Sequence, residues 1–589
     1  MADSLSKMAD SLSKMADSLS NAAVATILNN IQLLLEMKGE NVYRVRAYQR
    51  AVETVSSLPE ELSELRKRGA IAGLPGIGAG LAETIEQALD GRPIPILEEL
   101  HRDFPPGVLT LLGVNGVGPK LAARVYQDLG VQSIDALAAA ARDGRLAKLP
   151  RVGDKTAANV LRNIEAMQSR GGRLPIGAAI PIVAAVTGAL KGSPYVRNLT
   201  PAGSFRRFQE TVGDLDLIGT SDRPEEVMAL LVGLPIVREV IAHGPTKTSV
   251  IVEPGIQLDL RLVSDRDYGS LLQHFTGNQQ HNIVLRSYAE ARGQKVREYG
   301  ILDTKTGEEH HFAREEDVYA HLGLQYIPPE IRGGQDEVEL AARGKIPRLV
   351  ELGDMRGDLH VHTDASDGHN TLEEMVEAAR ARGYAYVAIA DHSAGRGVAN
   401  GLSVERLRAQ IAAIRALDAR LDGFRVLAAS EVDIRADGTL DYPDDVLADL
   451  DVVVASVHSA MSQDADTTTR RLIRAIENPH VDVIGHLTTR LVGQREPIQF
   501  DRAAVFAAAA RTRTALEVNA APARLDLKDT DVRLARAAGC LLTIDTDAHA
   551  IDNLDLMIYG VQTARRGWAE AADVLNTRPL DALLAWLDR

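Results

Sequence analysis

The sequence predicts a multidomain chain with an α-helical N-terminal region, a mixed α/β centre and a C-terminal parallel β/α barrel. Three observations carry this reading. Seven short apolar runs lie in the last part of the chain, and six of them end on a histidine, an acid or both. From Ala22 to about Gln168 the patterning is helical, broken by glycine-rich turns. Between these regions, from about Gly177 to Arg343, helical and strand patterns mix. The length of 589 residues allows roughly three to five domains.

The chain opens on Met1-Ala2-Asp3-Ser4-Leu5-Ser6-Lys7 and two further near-copies. Too few apolar positions repeat for a coiled coil, so residues 1–21 read as a disordered tail. In the helical region, Leu74-Pro75-Gly76-Ile77-Gly78, Val114-Asn115-Gly116-Val117-Gly118 and Leu149-Pro150-Arg151-Val152-Gly153 each precede a helical pattern. Each has the apolar-x-Gly-apolar-Gly form of a helix-hairpin-helix, with Arg151 in place of the first glycine in the third. The glycines permit a tight hairpin and expose backbone N–H groups near a helix N-terminus, a fit for DNA phosphate without sequence preference. Lys120 and Lys155 follow the second and third turns and add charge.

Net charge is −15, which alone disfavours nucleic acid, but the charge is unevenly spread. Residues 101–200 carry about 13 basic and 6 acidic side chains, whereas residues 351–589 carry about 26 basic and 38 acidic. A basic middle beside an acidic, metal-binding end is compatible with DNA binding. Charged and apolar fractions are those of an ordinary globular protein, and no apolar run reaches transmembrane length. The start lacks the apolar segment of a signal peptide. The single cysteine, Cys540, falls inside an expected strand. It fits a reducing cytosol and reads as a small buried apolar residue.

In the centre, Gly203-Ser204-Phe205-Arg206-Arg207 precedes Gly213-Asp214-Leu215-Asp216-Leu217-Ile218, and a second strand, Ile256–Leu262, carries Asp259. Residues i and i+2 of a strand face the same way, so Asp214 and Asp216 share a site that Asp259 joins from a neighbouring strand. Three carboxylates of this kind hold two Mg²⁺ or Mn²⁺ ions, one for a primer 3′-hydroxyl and one for a triphosphate. The Gly-Ser turn offers donors to the triphosphate and Arg207 offers charge.

The seven apolar runs end at His360-Val361-His362, Asp391-His392, Glu431, His458, His486, Asn519 and Asp547-Ala548-His549. Only the Asn519 run lacks a ligand at its tip. Parallel barrel strands present their C-terminal tips to one face, where imidazole and carboxylate make a cage for divalent metals suited to phosphate-ester hydrolysis.

Over residues 30–330 these motifs resemble a family X DNA polymerase, similar to DNA polymerase beta. The resemblance implies Asp214, Asp216 and Asp259 as metal ligands, with Ser204, Arg207 and Gly213 around the triphosphate and Gly203 in the same turn. His274-Phe275-Thr276-Gly277 resembles the family's Tyr-Phe-x-Gly segment against the nucleotide sugar, with His274 departing from the Tyr. Asn282 and Arg286 fall where the family contacts the nucleotide and nascent pair or template. The family's N-terminal domain carries a Schiff-base lysine for 5′-deoxyribose-phosphate removal. Here that position is Thr84, which has no amine, so lyase chemistry is not expected. Arg44, Arg50 and the first hairpin remain for a 5′-phosphate.

The C-terminal motifs resemble the polymerase and histidinol phosphatase (PHP) domain, which implies a distorted seven-stranded barrel holding up to three metals, Mn²⁺, Zn²⁺ or Fe²⁺. The ligands carried over are His360, His362, Asp367, His392, Glu431, His458, His486, Asp547 and His549, with Glu431 bridging two ions. Arg490 and Arg495 follow the His486 run and read as surface charge, a phosphate contact being the alternative. His369, His480 and Asp545 lie near motifs but are left out of the set.

The expected divisions are therefore a tail over 1–21, a helical DNA-binding domain over 22–95 and hairpin-bearing fingers over 96–174. A nucleotidyltransferase palm over 175–262, a thumb over 263–342, a linker over 343–354 and the PHP domain over 355–589 follow. The combination resembles bacterial and archaeal family X polymerases. It implies a gap-filling repair polymerase with a PHP-domain 3′→5′ exonuclease, acting on gapped or nicked DNA and dNTPs, beside other repair proteins, in the cytoplasm at the nucleoid. A small-molecule phosphatase of histidinol-phosphatase type and a non-enzymatic DNA-end scaffold are the rival readings.

Overall fold

The computed structural model describes residues 21–588 apart from 57, 59–61, 115, 151, 170–172 and 396–398. The N-terminal repeat therefore lies outside the described residues, as do Asn115 and Arg151 of the glycine turns. The chain forms two compact units, 1–171 and 172–589.

The first unit is helical. Helices Asn21–Lys38, Val42–Ser56, Ala79–Leu89, Pro95–Asp103, Pro119–Leu129, Ile134–Arg142 and Gly153–Ser169 contribute to one apolar core. In the first of them Leu28, Ile31, Leu34 and Leu35 fall at three- and four-residue spacing and are fully buried, as an amphipathic helix requires. The three glycine turns share a construction. Each follows a 3₁₀ turn, and the amide nitrogens of Ile77, Val117 and Val152 donate to the carbonyls of Leu74, Val114 and Leu149 at 3.1, 2.9 and 3.1 Å. Ile77, Val117 and Val152 are buried and anchor the turn, while Gly76, Gly78, Gly116, Gly118 and Gly153 are exposed beside them. Gly76 and Gly116 take left-handed backbone, φ +73° and +89°. In the third turn the left-handed residue is Gly153, φ +68°.

The second unit begins with a five-stranded sheet: β1 (Asn198–Pro201), β2 (Asp214–Thr220), β3 (Val237–His243), β4 (Lys247–Val252) and β5 (Ile256–Val263), in the order β1-β2-β5-β4-β3. Only β2 and β5 pair in parallel, and their register sets Asp216 opposite Asp259. Helices Ile176–Lys191 and Pro224–Val232 cover one face, burying Val186, Leu190, Met228 and Leu231 against Leu215, Leu217, Leu258 and Leu260. Helices Tyr268–Thr276, Gln279–Glu290, Glu315–His321 and Glu337–Ala342, with a small antiparallel sheet, form the next body.

Seven parallel strands follow in sequential order: β6 (Gly357–Val361), β7 (Tyr386–Ile389), β8 (Arg425–Asp433), β9 (Val452–Ser456), β10 (Val483–Ile484), β11 (Ala515–Asn519) and β12 (Leu542–Asp545). The sheet curls almost closed. Val361 bridges Ala548, and the His362 amide donates to the Ala548 carbonyl at 2.8 Å. Leu427, Ala429, Val452, Val454 and Ala515 share an inner core, and Leu583 and Trp586 of the C-terminal helix Leu580–Leu587 join it. Cys540 is buried but lies two residues before β12, not within a strand, with its thiol donating to the Phe506 carbonyl at 3.1 Å. The 343–354 connection is anchored at three points: Ile346 and Leu349 join the preceding core, while Val350 joins the barrel's.

A buried charge network ties the Gly203–Arg206 turn to the body beyond the sheet. Arg206 donates to Glu315 at 3.0 and 2.8 Å, Arg332 donates to Glu315 at 2.6 Å, and the Tyr326 hydroxyl donates at 2.9 Å. Burial would raise the Glu315 carboxyl, but Arg332 and Arg206 outweigh it and hold it at about 2. Its stabilising contribution is therefore full above the ordinary carboxylate range and is lost as pH falls toward about 2. Glu315→Ala leaves two guanidinium groups without their shared counter-charge, and a loss of about 3–5 kcal/mol is expected in denaturant unfolding at neutral pH. A variant as stable as wild type at pH 7 would show the network to be neutral.

Candidate active sites

The first site is an open cavity of about 580 Å³ at the edge of the central sheet. Gly203, Ser204, Arg207, Asp214, Asp216, His274, Phe275, Gly277, Asn282 and Arg286 line it, together with Arg173, Gln209, Asn278 and Gln279. Thus one strand, one short turn and two helices converge. The turn is docked on the strand: the Ala202 amide donates to the Asp216 carbonyl at 2.8 Å. Gly203 is left-handed, φ +60°, and a Cβ there would lie 2.8 Å from Asp216 Oδ2, so only glycine fits this approach.

The polar groups of this cavity fit an anion and a cation together. Ser204 Oγ and Arg207 Nε are buried and make no hydrogen bond. Burial, then Arg566, Arg332 and Arg173, bring the Arg207 guanidinium down to about 10, a surplus of positive charge that a phosphate would relieve. Across from it, burial, Asp214 and Asp259 push the Asp216 carboxyl up to about 6, a surplus of negative charge suited to a divalent cation. Asn282 is held by two hydrogen bonds, accepting from Gln273 at 2.9 Å and donating to the His274 carbonyl at 2.8 Å. Burial lowers the pKa of His274.

Two expected residues stand differently. Asp259 faces Asp216 in register but does not line the cavity. Its carboxylate accepts from Gln257 at 2.8 Å and pairs with Lys247 at 2.9 Å. Clustered carboxylates repel, and the ammonium on the adjacent strand offers the nearer neutralisation. Gly213 is also outside the lining, although the Arg173 guanidinium, which lines it, would lie 3.2 Å from a Cβ there.

The second site is at the C-terminal ends of the barrel strands. His362, Asp367, His392 and His549 form one group of donors, His360, His362 and Asp547 a second, and His392, Glu431 and His458 a third. Within each group the donor atoms lie within 4.8 Å of one another, and the groups share His362 and His392. His486 Nε2 joins them 2.8 Å from Glu431 Oε1. All nine residues expected from the sequence therefore meet at one place.

Alternation along the strands explains how. Leu427 and Ala429 of β8 face the barrel interior, and Glu431 continues their parity to its top. A register shift between Asp358 and Val361 in β6 interrupts the alternation where His360 and His362 enter, the usual effect of a bulge beside a site. His392, His458, His486, Asp547 and His549 lie just past the strand ends rather than within them, on the loops that leave β7, β9, β10 and β12.

The electrostatics fit divalent ions. His360 Nε2 and both ring nitrogens of His362 are buried without a hydrogen bond, yet face carboxylate oxygens at 3.1–3.8 Å. That spacing leaves room for an ion coordinated by both sides. Burial raises the Glu431 carboxyl, but His458, His392 and His360 outweigh it and hold it well below the usual range. Burial likewise opposes, and His360 and His362 outweigh, at Asp547, which is also held low.

Three supporting residues escaped the sequence reading. Glu517 Oε1 lies 2.6 Å from His360 Nδ1, Asp433 Oδ1 lies 2.6 Å from His458 Nδ1, and Asn519 donates to Asp547 Oδ2 at 3.1 Å. Such outer partners fix which ring nitrogen faces the site. The signal for Glu517 was present, an acid at an inward position of an otherwise apolar strand. The Asn519 run therefore contributes to the site without a ligand at its tip.

Arg490 is not surface charge. It is buried, pairs with Glu210 at 2.8 Å, and donates to the carbonyls of Arg524 and Leu525 at 2.9 and 2.6 Å. The loop after β10 turns in against the central sheet, which its sequence does not foretell. Arg495 is half-buried and donates to the Thr489 carbonyl at 2.7 Å.

In the first unit, Thr84 lines a cavity of about 500 Å³ with Arg44, Tyr48, Gly78 and Gln87, among others, and its hydroxyl donates to the Gly80 carbonyl at 2.9 Å. Arg50 is not in that lining and lies beside Gly76. Lys120 and Lys155 are exposed near their turns.

Fold and sites together define a class: a nucleotidyltransferase-like core with helical hairpin modules on one chain with a PHP barrel. Residues 19–92 match the helix-hairpin-helix domain, 108–165 the SAM-like helix-hairpin-helix tandem, 271–333 the DNA polymerase beta thumb and 358–521 the PHP domain. The chain is 41% identical over 568 residues to the DNA polymerase/3′-5′ exonuclease PolX of Bacillus subtilis (strain 168), covering 96% of this chain and 99% of that protein. A probable phosphatase of Shewanella sediminis (strain HAW-EB3) is 31% identical over 242 residues, 39% of this chain and 93% of that protein. This chain belongs to the family X DNA polymerases that carry a PHP domain. Among the described residues, no helix is long and apolar enough to cross a membrane.

The protonation of the histidine cluster generates a prediction. Burial lowers His362 to about 4 and His486 to about 3, so both rings are neutral at pH 7. At His392 burial is outweighed by Glu431 and Asp367, and the ring is raised to about 10. A metal binding there must displace the His392 proton, so affinity rises with pH. Calorimetric titration of Mn²⁺ at pH 7 in buffers of different ionisation enthalpy should report net proton release. Zero release would mean that His392 is not a ligand.

Proposed function

We propose that this protein is a DNA repair polymerase with a second, PHP-based 3′→5′ exonuclease site on the same chain. The observation that carries the reading is the coexistence of two separate constellations. One is an anion- and cation-matched cavity containing Asp214 and Asp216, and the other is the nine-residue histidine and carboxylate cluster.

In the first, Asp214, Asp216 and Asp259 hold two Mg²⁺ or Mn²⁺ ions, with Asp259 released from Lys247 on binding. Ser204 and Arg207 take the triphosphate of a dNTP, and His274, Phe275 and Gly277 take its sugar. Asn282 and Arg286 contact the nucleotide and the nascent pair. Gly203 and Gly213 let the backbone approach. In the second, His360, His362, Asp367, His392, Glu431, His458, His486, Asp547 and His549 hold up to three Mn²⁺, Zn²⁺ or Fe²⁺ ions. Bound divalent ions supply Lewis-acid charge to a phosphate ester and lower the pKa of the attacking oxygen. Glu517 and Asp433 hold the His360 and His458 rings in the tautomer that points the other nitrogen inward.

The hairpins Gly76–Gly78 and Gly116–Gly118, with Gly153, Lys120 and Lys155, grip the DNA backbone of a gap or nick through exposed amides and charge. The domain divisions at 95, 174, 262, 342 and 354 remain part of this proposal, as do action at the nucleoid and association with other repair proteins. Without an amine at Thr84, no Schiff base forms in the Arg44-lined cavity. Borohydride trapping on a 5′-deoxyribose-phosphate end should leave no adduct on the 22–95 segment, and a trapped peptide from it would refute this.

The central test uses a labelled primer on one-nucleotide-gapped DNA with Mn²⁺, with and without dNTPs. Asp214→Ala/Asp216→Ala should lose extension by about 10³-fold or more and keep primer shortening. His360→Ala/His362→Ala should do the reverse. A wild-type protein that neither extends nor shortens the primer, but hydrolyses histidinol phosphate, would favour the phosphatase reading. Binding of gaps without any turnover would favour a scaffold.

A further inference from the structure

All nine members of the barrel cluster are histidines and acids. They suit metals, but none offers a permanent positive charge to the phosphate that must be cleaved. The structure supplies one at the cluster's edge. Arg524 Nε lies 3.8 Å from Asp547 Oδ2, while Asp547 Oδ1 faces His362 Nε2 at 3.1 Å and His360 Nε2 at 3.7 Å. Where the cluster's other ion pairs join acids to histidines, this one brings a guanidinium.

Three observations make Arg524 more than a partner for Asp547. At 3.8 Å the contact is beyond hydrogen-bond reach, and among the described residues the guanidinium makes no hydrogen bond, so its donors remain available. The side chain is 20% exposed, buried enough for its charge to act on the site yet open to an incoming DNA end. Its backbone is also pinned. Arg524 N donates to the Ala521 carbonyl at 2.7 Å, and Arg490 donates to the Arg524 and Leu525 carbonyls at 2.9 and 2.6 Å. Arg490 is itself buried and held by Glu210 at 2.8 Å. The pinned backbone therefore presents one planar, bidentate donor beside the cluster, the form best matched to two phosphate oxygens. The positive charge of Arg524 is also felt within the cluster, where after burial it is the next cause lowering His486.

We propose that Arg524 binds the scissile phosphate of the DNA 3′ end in the barrel site, with Arg490 as the positioning residue that holds its loop. This rests on reading the cluster as the phosphoesterase centre. Arg524 recognises a phosphodiester in the ground state and holds its charge as it grows in the transition state.

The test uses the full chain in an Asp214→Ala/Asp216→Ala background, so that the first cavity contributes neither nucleotide binding nor synthesis. Arg524, Arg524→Ala and Arg524→Lys forms are loaded with Mn²⁺, and their metal content is measured. Two readouts follow: steady-state digestion of a 5′-labelled single-stranded oligonucleotide, and calorimetric binding of dAMP, the mononucleotide product. Arg524→Ala should keep its metal, lose dAMP binding and lose about 10²–10³-fold in kcat/KM, with Arg524→Lys partly rescued. The proposal is overturned if Arg524→Ala binds dAMP normally and stays within about threefold in kcat/KM, or if its loss of activity simply follows loss of metal. If the Arg524 form itself shortens no oligonucleotide, the phosphoesterase reading falls, and Arg524 is then judged on dAMP binding alone. Unchanged dAMP binding by Arg524→Ala would remove it.

Discussion

Both candidate sites depend on one constraint, the register of parallel strands. Parallel pairing sends the C-terminal ends of neighbouring strands to the same side, so groups far apart in sequence arrive together. In the central sheet only β2 and β5 are parallel, and that pairing sets Asp216 beside Asp259. In the barrel all seven strands are parallel, and nine residues from strand ends and the loops that leave them, spread over 190 residues from His360 to His549, meet within one cluster. An antiparallel neighbour in either place would carry its acid to the opposite edge.

The cost of such convergence is crowded charge, and the protein meets it differently at the two sites. In the barrel, acids are matched by histidines, and a further layer of Glu517, Asp433 and Asn519 orients them. In the central cavity, the acids Asp214 and Asp216 face a cationic side built from Arg207 and Arg173. Asp259 is neutralised by Lys247. One site is thus prepared for ions alone, the other for ions and a phosphate side by side.

The two sites are also physically joined. Glu210 lies between Gln209, which lines the central cavity, and the strand of Asp214. It is also the partner of the buried Arg490, which braces the loop that carries Arg524 beside the barrel cluster. Arg566 of the barrel donates to the Phe208 carbonyl and to Gln209 at 3.1 Å each, and Tyr559 packs edge-on against Phe208 at 5.7 Å. The short segment 208–210 is therefore shared scaffolding for both sites.

The sequence by itself determined what is local and periodic. Apolar runs marked the barrel strands, the glycine turns marked the hairpins of the first unit, and the Gly-Ser and Asp-x-Asp spacings marked the central cavity, because two-residue alternation and glycine geometry follow from the backbone alone. The histidines and acids of the barrel cluster were legible from the apolar runs that end on them, and Asp367 from the resemblance to the PHP domain. Tertiary structure decided what depends on distant partners. It turned Arg490 from a surface charge into a buried brace, drew Asp259 toward Lys247, and brought Glu517 behind His360. It also placed Arg173, Gln209 and Arg524 beside cavities that no neighbouring motif announces. Ion pairs and close packing are set by distance in space, over which spacing along the chain has no hold.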